Sequence, residues 1–323
     1  MNKDLSIKEG GVRVIKNLAI KGGGVKGVAY VGALRELHKA NLFNYIQRFS
    51  GTSAGALLAG MICAGYNVDE IEKLMMGIQF EKFKKGWNPF RIFTGYGLYS
   101  GKYILDFVHK FLNDSPLNKI NPHPLHLTAK TTFMDMKKAG CKELYVFACN
   151  TNMHDVTEFS ADKTPHVVVA EAIRASMSIP YFFKAWKFSD NNPNDHIYID
   201  GGVVYNYPLT FFDHDRFNEM EHENFESIGL YLYTPKRVNK MPLRFFQVFF
   251  FTKHLFESLL ETQDYVILQD KEQLQRSIMI DDLKIPATDF NITPHQLNSL
   301  IESGSQAAKK YIHHNNLLPS DIK

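Results

Sequence analysis

Cysteine is scarce in this chain. Cys63, Cys141 and Cys149 are odd in number and lack metal-ligand spacing, which excludes a disulfide framework and predicts free thiols in a reducing compartment. Long hydrophobic runs are missing too, and none approaches the roughly 18 residues of a membrane span. The segment from Met1 to Lys16 carries Lys3, Asp4, Lys8, Glu9 and Arg13 but no apolar stretch, so no cleavable secretory leader is expected. Nor does one charge dominate. A net charge of +3 without a dense Lys/Arg block argues against nucleic acid as a partner. Repeats and low-complexity segments are absent. What is there is 45% hydrophobic and 22% charged over 323 residues, the profile of a globular protein with a sizeable core.

The chain is organised around Phe49-Ser50-Gly51-Thr52-Ser53-Ala54-Gly55. It reads as a strand end, a tight turn and a helix start, with the G-x-S-x-G spacing of a nucleophile elbow at Gly51, Ser53 and Gly55. Side chains two residues from the turn must be almost nil, because strand and helix approach closely there. The helix that follows is apolar nearly all round and is therefore expected to be buried. A plainer alternative has Ser53 merely capping that helix.

Upstream, the strand Asn17–Ile20 runs into Gly22-Gly23-Gly24-Val25-Lys26-Gly27, and a helix follows with Val28, Val31, Leu34 and Leu37 at helical spacing. Successive backbone N–H groups in such a turn suit an anion. Gly22, Gly24 and Gly27 satisfy the dinucleotide fingerprint, which would make the chain a dinucleotide-binding oxidoreductase. That reading wants an acid about 20 residues on, and His38 to Ser50 contains none. The other anion is an acyl-transfer oxyanion, held by the same N–H groups if the loop lies beside Ser53. Adjacent parallel strands end on the same side, which favours the oxyanion.

Further along, helices are expected from Asn67 to about Gly77, over Ser100–Leu112, at Thr131–Ala139 and at Val167–Met177, with a hairpin of Glu143–Asn150 and Val156–Ser160. Residues 80–100 form an aromatic, turn-rich segment, read either as cover for a pocket or as packing beneath a long loop. The Pro/His-rich stretch 121–126 reads as a linker whose histidines lack ligand partners. A short strand, His196–Ile199, delivers Asp200-Gly201-Gly202. There a carboxylate sits on a rigid strand end with open backbone around it, although Asp-Gly alone is also an ordinary turn.

Taken in order, Gly22–Gly27, Gly51–Gly55, Ala175-Ser176-Met177-Ser178-Ile179-Pro180 and Asp200–Gly202 resemble the patatin family of lipid acyl hydrolases, over about Ile15 to Pro208. The resemblance implies a three-layer α/β/α sandwich with a mostly parallel central sheet. It makes Ser53 the nucleophile and Asp200 its partner in a dyad without histidine. Gly22, Gly23, Gly24, Val25 and Lys26 would supply the oxyanion hole, Gly51 and Gly55 the elbow, and Gly201 and Gly202 support. Lys26 stands where the family usually has arginine, keeping the charge but not the planar fork. No metal or organic cofactor is implied. The implied substrate is a phospholipid or other acyl lipid, with peripheral membrane contact; the residues name no protein activator. The expected location is cytoplasmic or at a membrane face, although the family includes proteins exported without a cleavable leader. A catalytically idle patatin-like binding protein is the remaining alternative.

Residues 15–235 are expected to form the catalytic domain and 236–323 a C-terminal helical extension packed on it. Within the extension, Arg244–Leu260 reads as a core helix, or alternatively as a lipid-facing one. Ile278–Leu283 reads as an edge strand. Thr293–Tyr311 reads as a closing helix with Thr293 as N-cap and proline at its first position.

Overall fold

The computed structural model describes residues 14–120, 125–188, 196–214, 216–217, 224–234, 247–315 and 317. The strands are β1 (Asn17–Ile20), β2 (Arg48–Thr52), β3 (Gly97–Tyr99), β4 (Glu143–Asn150), β5 (Asp155–Phe159), β6 (Tyr181–Phe183), β7 (Tyr198–Asp200), β8 (Ser227–Tyr233) and β9 (Ser277–Asp281). The helices in the first half are α1 (Ala29–Lys39), α2 (Ala54–Cys63), α3 (Val68–Met76), α4 (Arg91–Gly95), α5 (Lys102–Asn113), α6 (Leu117–Ile120) and α7 (Phe133–Lys138). Those after it are α8 (Val169–Ser176), α9 (Gln247–Ile267), α10 (Lys271–Gln275) and α11 (Pro294–His314).

The central sheet runs β5-β4-β2-β1-β8-β9, parallel at every pairing except β4 with β5, and β7 joins β4 antiparallel. Alternation along the strands sorts two faces. Leu18, Ile20, Leu144, Val146, Ile228 and Leu230 point into a large core with α1, α2, α5, α8 and α11. Ala19, Tyr145, Phe147 and Tyr231 point the other way, beneath Tyr207, Leu209, Phe211, Phe212 and the end of α9 at Ile267. The expected layered α/β architecture with a mostly parallel sheet is present. Its second cover is thinner than its first, being built from short 3-10 turns and one long helix.

Register explains how the two chemically loaded strand ends meet. Strand β4 pairs with β2 through Val146 and Phe147 and with β5 from Val146 to Asn150. Because β5 holds one edge, β7 must lie on the other, with Asp200 opposite Ala148. That is the edge β2 occupies up to Thr52, opposite Phe147. Strands β2 and β7 therefore meet end to end on a shared edge, rather than side by side as neighbouring strands would. A three-residue strand carries no sequence signal for its direction, so this arrangement was not readable beforehand.

Several local expectations hold. Helix α2 is buried along its whole length. Thr293 caps α11 in a box with Gln296, with Pro294 in the first turn. Strand β9 forms the sheet edge beside β8, and all three cysteines are free thiols. Helix α9 differs from a core helix, since Phe251, Leu255 and Leu259 are exposed. Residues 121–124 of the Pro/His-rich stretch, and 244–246 at the start of the aromatic helix segment, lie outside the described residues.

Helix α11 closes the main core by crossing α1 at glycines. A Cβ on Gly304 would stand 1.9 Å from the Ala29 carbonyl oxygen, and one on Gly32 1.8 Å from that of Ile301. Backbone cannot yield there, so a side chain must prise the helices apart. We expect Gly304→Val to cost about 3 kcal/mol in urea unfolding. Gly140→Ala, where no heavy atom lies within 4 Å but φ is +71°, should cost about 1 kcal/mol. Equal losses at the two sites would contradict the close-crossing account.

Candidate active site

Ser53 sits between β2 and α2 with φ 54° and ψ −121°, a conformation that costs a non-glycine residue about 1–3 kcal/mol. It occupies the N-cap position of α2, yet its side chain makes no capping bond. Its hydroxyl instead donates to Asp200 Oδ2 at 2.7 Å, across 147 residues of sequence. The flanking glycines are required by contact. A Cβ on Gly51 would lie 2.4 Å from the backbone of Gly55, and one on Gly55 2.2 Å from the Ile20 carbonyl oxygen. The strain of the elbow is thus carried by the serine itself, and the glycines let strand and helix touch.

Asp200 is 2% exposed. Its Oδ1 accepts from the Gly202 N–H at 2.8 Å, the ordinary Asp-Gly turn bond, while Oδ2 faces the serine. Both readings of the dipeptide are realised, one per oxygen. Burial pushes the carboxyl up to about 7, against the opposing pull of the Ser53 and Gly202 hydrogen bonds and the positive charge of Arg174.

Arg174 escaped sequence reasoning. It lies on α8, 1% exposed, and it donates to the carbonyls of Gly101 (3.1 Å), Ser100 (3.1 Å) and Lys184 (2.9 Å) and to Ser178 Oγ (2.6 Å). Ser178 in turn accepts the Asp200 N–H on its backbone carbonyl at 2.9 Å. Burial pulls the guanidinium down to about 10, which leaves it charged at neutral pH. Ser176 was likewise missed as a support. Its hydroxyl accepts the Ser53 N–H at 2.8 Å and donates to the Phe147 carbonyl. The only signal for both was their place in or beside the Ala175–Pro180 motif.

The glycine-rich loop lies against the elbow, as parallel pairing of β1 and β2 predicts. A Cβ on Gly22 would come within 3.3 Å of Ser53 Cβ, whereas one on Gly23 would meet Leu232 at 2.5 Å. The N–H groups are not equivalent. Gly22 donates to the Asn206 carbonyl, Val25 to that of Ala287 and Lys26 to that of Gly23. Among the described residues, no acceptor takes the N–H of Gly23 or Gly24. Lys26 directs its ammonium at Asp282 Oδ2, 2.6 Å away and fully buried, rather than toward Ser53. Lys21, just before the loop, is held by Asp264 Oδ1 at 2.5 Å and by the Leu232 carbonyl, and burial pulls its pKa down to about 8.

A cavity of about 350 Å³ opens over these groups, lined by Gly23, Ser53, Ile179, Asp200, Leu232 and Leu260 among others. Gln263 of α9 ties down its far side, donating to the Gly202 carbonyl at 2.7 Å and accepting the Asn206 N–H at 2.9 Å. Gly202 is held by this clasp, whereas a Cβ on Gly201 would stand 2.3 Å from the Phe147 carbonyl oxygen. Among the described residues, no group of three or more His, Cys, Asp or Glu side chains is placed to hold a metal ion. No helix among them is long and apolar enough to cross a membrane.

Residues 18–213 match the family model described as patatin-like phospholipase. Uncharacterized protein R571 of Acanthamoeba polyphaga mimivirus is 28% identical over 308 residues, covering 92% of this chain and 94% of its own. Probable lipid hydrolase 463L of Invertebrate iridescent virus 6 is 28% identical over 200 residues, 60% of this chain and 62% of its own. Among solved structures, VipD from Legionella pneumophila superposes with a TM-score of 0.56 at 16% identity, over 94% of this chain and 67% of that one.

Arg174 combines a charge with a fan of donors, and substitution can separate the two. Arg174→Met should move the Asp200 midpoint above about 7, and lower the Tm, because buried carbonyls lose their donors. Arg174→Lys should restore most of the midpoint and little of the Tm. A carboxyl-carbon NMR titration and a melting curve on both variants test this; an unmoved midpoint in the Met variant would remove Arg174 as the electrostatic partner.

Proposed function

This chain belongs to the patatin-like phospholipase family, and from that premise we propose that it is a lipid acyl hydrolase working through a Ser53–Asp200 dyad. The observation that carries the reading is the 2.7 Å bond from a strained, buried serine to a buried carboxylate on the floor of the cavity. Ser53 Oγ attacks the acyl ester carbonyl while Asp200 takes its proton. The oxyanion that forms faces the uncommitted N–H groups of Gly23 and Gly24, which need no reorganisation. Collapse expels the alcohol, which leaves with the proton from Asp200. Water then attacks the acyl-enzyme with Asp200 taking its proton, the Ser53 Oγ–acyl bond breaks as that proton passes from Asp200 to Ser53 Oγ, and the fatty acid departs.

Phospholipid is the substrate favoured by the family. The dinucleotide alternative fits the loop poorly, because the N–H groups of Gly22, Val25 and Lys26 are already bonded within the protein. A lipid carrier without catalysis would need neither a strained serine nor a carboxylate poised near neutrality, and this chain has both.

Purified protein with p-nitrophenyl acyl esters and with mixed phospholipids tests the proposal. Ser53→Ala and Asp200→Asn should each lose at least about 10³-fold in kcat/KM with the fold retained. A base acts as its carboxylate, and the raised pKa puts that form above about pH 7, so kcat/KM should climb as pH rises through 7 and then level. Turnover should persist in EDTA. Near-normal hydrolysis by Ser53→Ala would end the dyad reading.

Lys26 needs its own test. With its ammonium engaged by Asp282, Lys26→Ala leaves a buried carboxylate unpaired, which typically costs about 3–5 kcal/mol. The expected result is a lower Tm, with the double variant Lys26→Ala/Asp282→Ala more stable than the single one. Unchanged stability in Lys26→Ala with slowed turnover would return the lysine to a directly electrostatic role.

A further inference from the structure

Between Lys82 and Gly101 the chain carries Lys82, Lys84, Lys85 and Arg91 and no carboxylate. Within the same segment Trp87, Phe90, Phe93 and Tyr96 are 58%, 75%, 83% and 51% exposed. Side chains of this size rarely stand free together on a surface, and a grouped apolar patch marks a contact. The segment is firmly built. Asn88 N–H donates to the Leu98 carbonyl, the Arg91 guanidinium bridges the carbonyls of Gly86 and Leu98, and β3 pairs with β6. Beneath it Phe83 packs on Phe183 and Phe290. The aromatic side chains are therefore held outward on a braced platform.

The cations keep their charge available. Lys84 bonds Asn291, Lys82 lies over the Tyr103 ring, and Arg91 bonds carbonyls. Among the described residues none of the four is paired with a carboxylate. Lys184 of the adjoining segment runs its stem along Gly95 and adds to the group. Helix α9 contacts β6 as well; it exposes Phe251 and Leu255, while its other flank lines the cavity. Tyr181, itself exposed, is two residues from Ile179 in the cavity wall.

We infer that the Trp87–Tyr96 ridge docks the protein on an anionic phospholipid bilayer beside the mouth of the catalytic cavity. Aromatic side chains at headgroup depth, interleaved with cations and free of acids, have the composition of an interfacial anchor. The absence of carboxylates matches a negatively charged surface. The choice of a bilayer as occupant rests on the acyl-ester reading of the site; the ridge itself does not.

Trp87 provides the probe, since the chain's other tryptophan, Trp186, is half-buried beside Arg174. Ser53→Ala protein, which leaves vesicles intact, is mixed with phosphatidylcholine vesicles with and without phosphatidylglycerol. Anionic vesicles should shift the emission to the blue and sediment the protein, less so at high salt. Adding Phe90→Ser and Phe93→Ser should weaken partitioning at least about tenfold. In the Ser53 background the same pair should leave short-chain ester hydrolysis unchanged, which verifies the fold. Binding that survives both serines overturns the inference, as does no binding at any lipid composition, the result expected if the ridge seats a protein instead. Vesicle binding without hydrolysis of soluble esters would sink the catalytic reading and leave the ridge standing.

Discussion

In the proposed reaction a carboxylate has to stay a usable base while buried, and the surroundings of Asp200 are consistent with that constraint. Desolvation drives Asp200 toward neutrality, and a neutral acid cannot take a proton from serine. Full compensation by a close ion pair would be equally useless, because a carboxylate held far below its ordinary pKa is a poor base. The protein settles between the two. One backbone N–H and the serine hydroxyl bond the carboxylate directly, while Arg174 acts on it by charge from behind Ser178. The guanidinium can remain charged in the interior because three backbone carbonyls and one hydroxyl accept its protons.

Apart from the Asn206 carbonyl, which accepts the Gly22 N–H, the contacts that hold the glycine-rich loop come from beyond the span that matches the family model. Asp264 pairs with Lys21 and Asp282 with Lys26, while the Ala287 carbonyl accepts the Val25 N–H. Gln263, next to Asp264, clamps the loop after Asp200. Two consecutive side chains on α9 thus fasten both the segment before the glycine-rich loop and the loop after Asp200. The segment after residue 213 also adds β8 and β9 to the sheet, and α11 to the main core. The proposed dyad and its support from α8 lie in the first two-thirds of the chain, and the fastening of the glycine-rich loop draws on the remainder.

That division sets how much could be read from sequence. The elbow was legible because its spacing is local: glycines stand two residues either side of a serine, although Gly51 answers to Gly55 within the turn and Gly55 to the Ile20 carbonyl of the neighbouring strand. The pairing of Ser53 with Asp200 was legible only through resemblance, since nothing near residue 200 announces a partner 147 positions away. Arg174, Gln263 and the Lys26–Asp282 pair lay beyond reach, because a buried hydrogen bond between distant segments leaves no periodic trace. The choice between core helix and lipid-facing helix for Arg244–Leu260 stayed open for a related reason. Leu260 and Phe256 of α9 line the cavity while Phe251, Leu255 and Leu259 face solvent, so the helix has two apolar flanks with different tasks.

The same buried arginine joins the two halves of the proposed activity. Its Nε and Nη2 hold the carbonyls of Gly101, Ser100 and Lys184, at the foot of the aromatic ridge, and its Nη1 holds the Ser178 hydroxyl. Ser178 binds the Asp200 N–H, and two residues earlier Ser176 binds that of Ser53. The base of the ridge and both members of the dyad are therefore fixed to one short stretch of α8 and the turn after it. An acyl chain drawn from a bilayer has to reach a carbonyl-to-serine distance set to within tenths of an ångström. On the proposed reading, the connection through Arg174 between the ridge and the Ser53–Asp200 pair would satisfy that demand without any moving part.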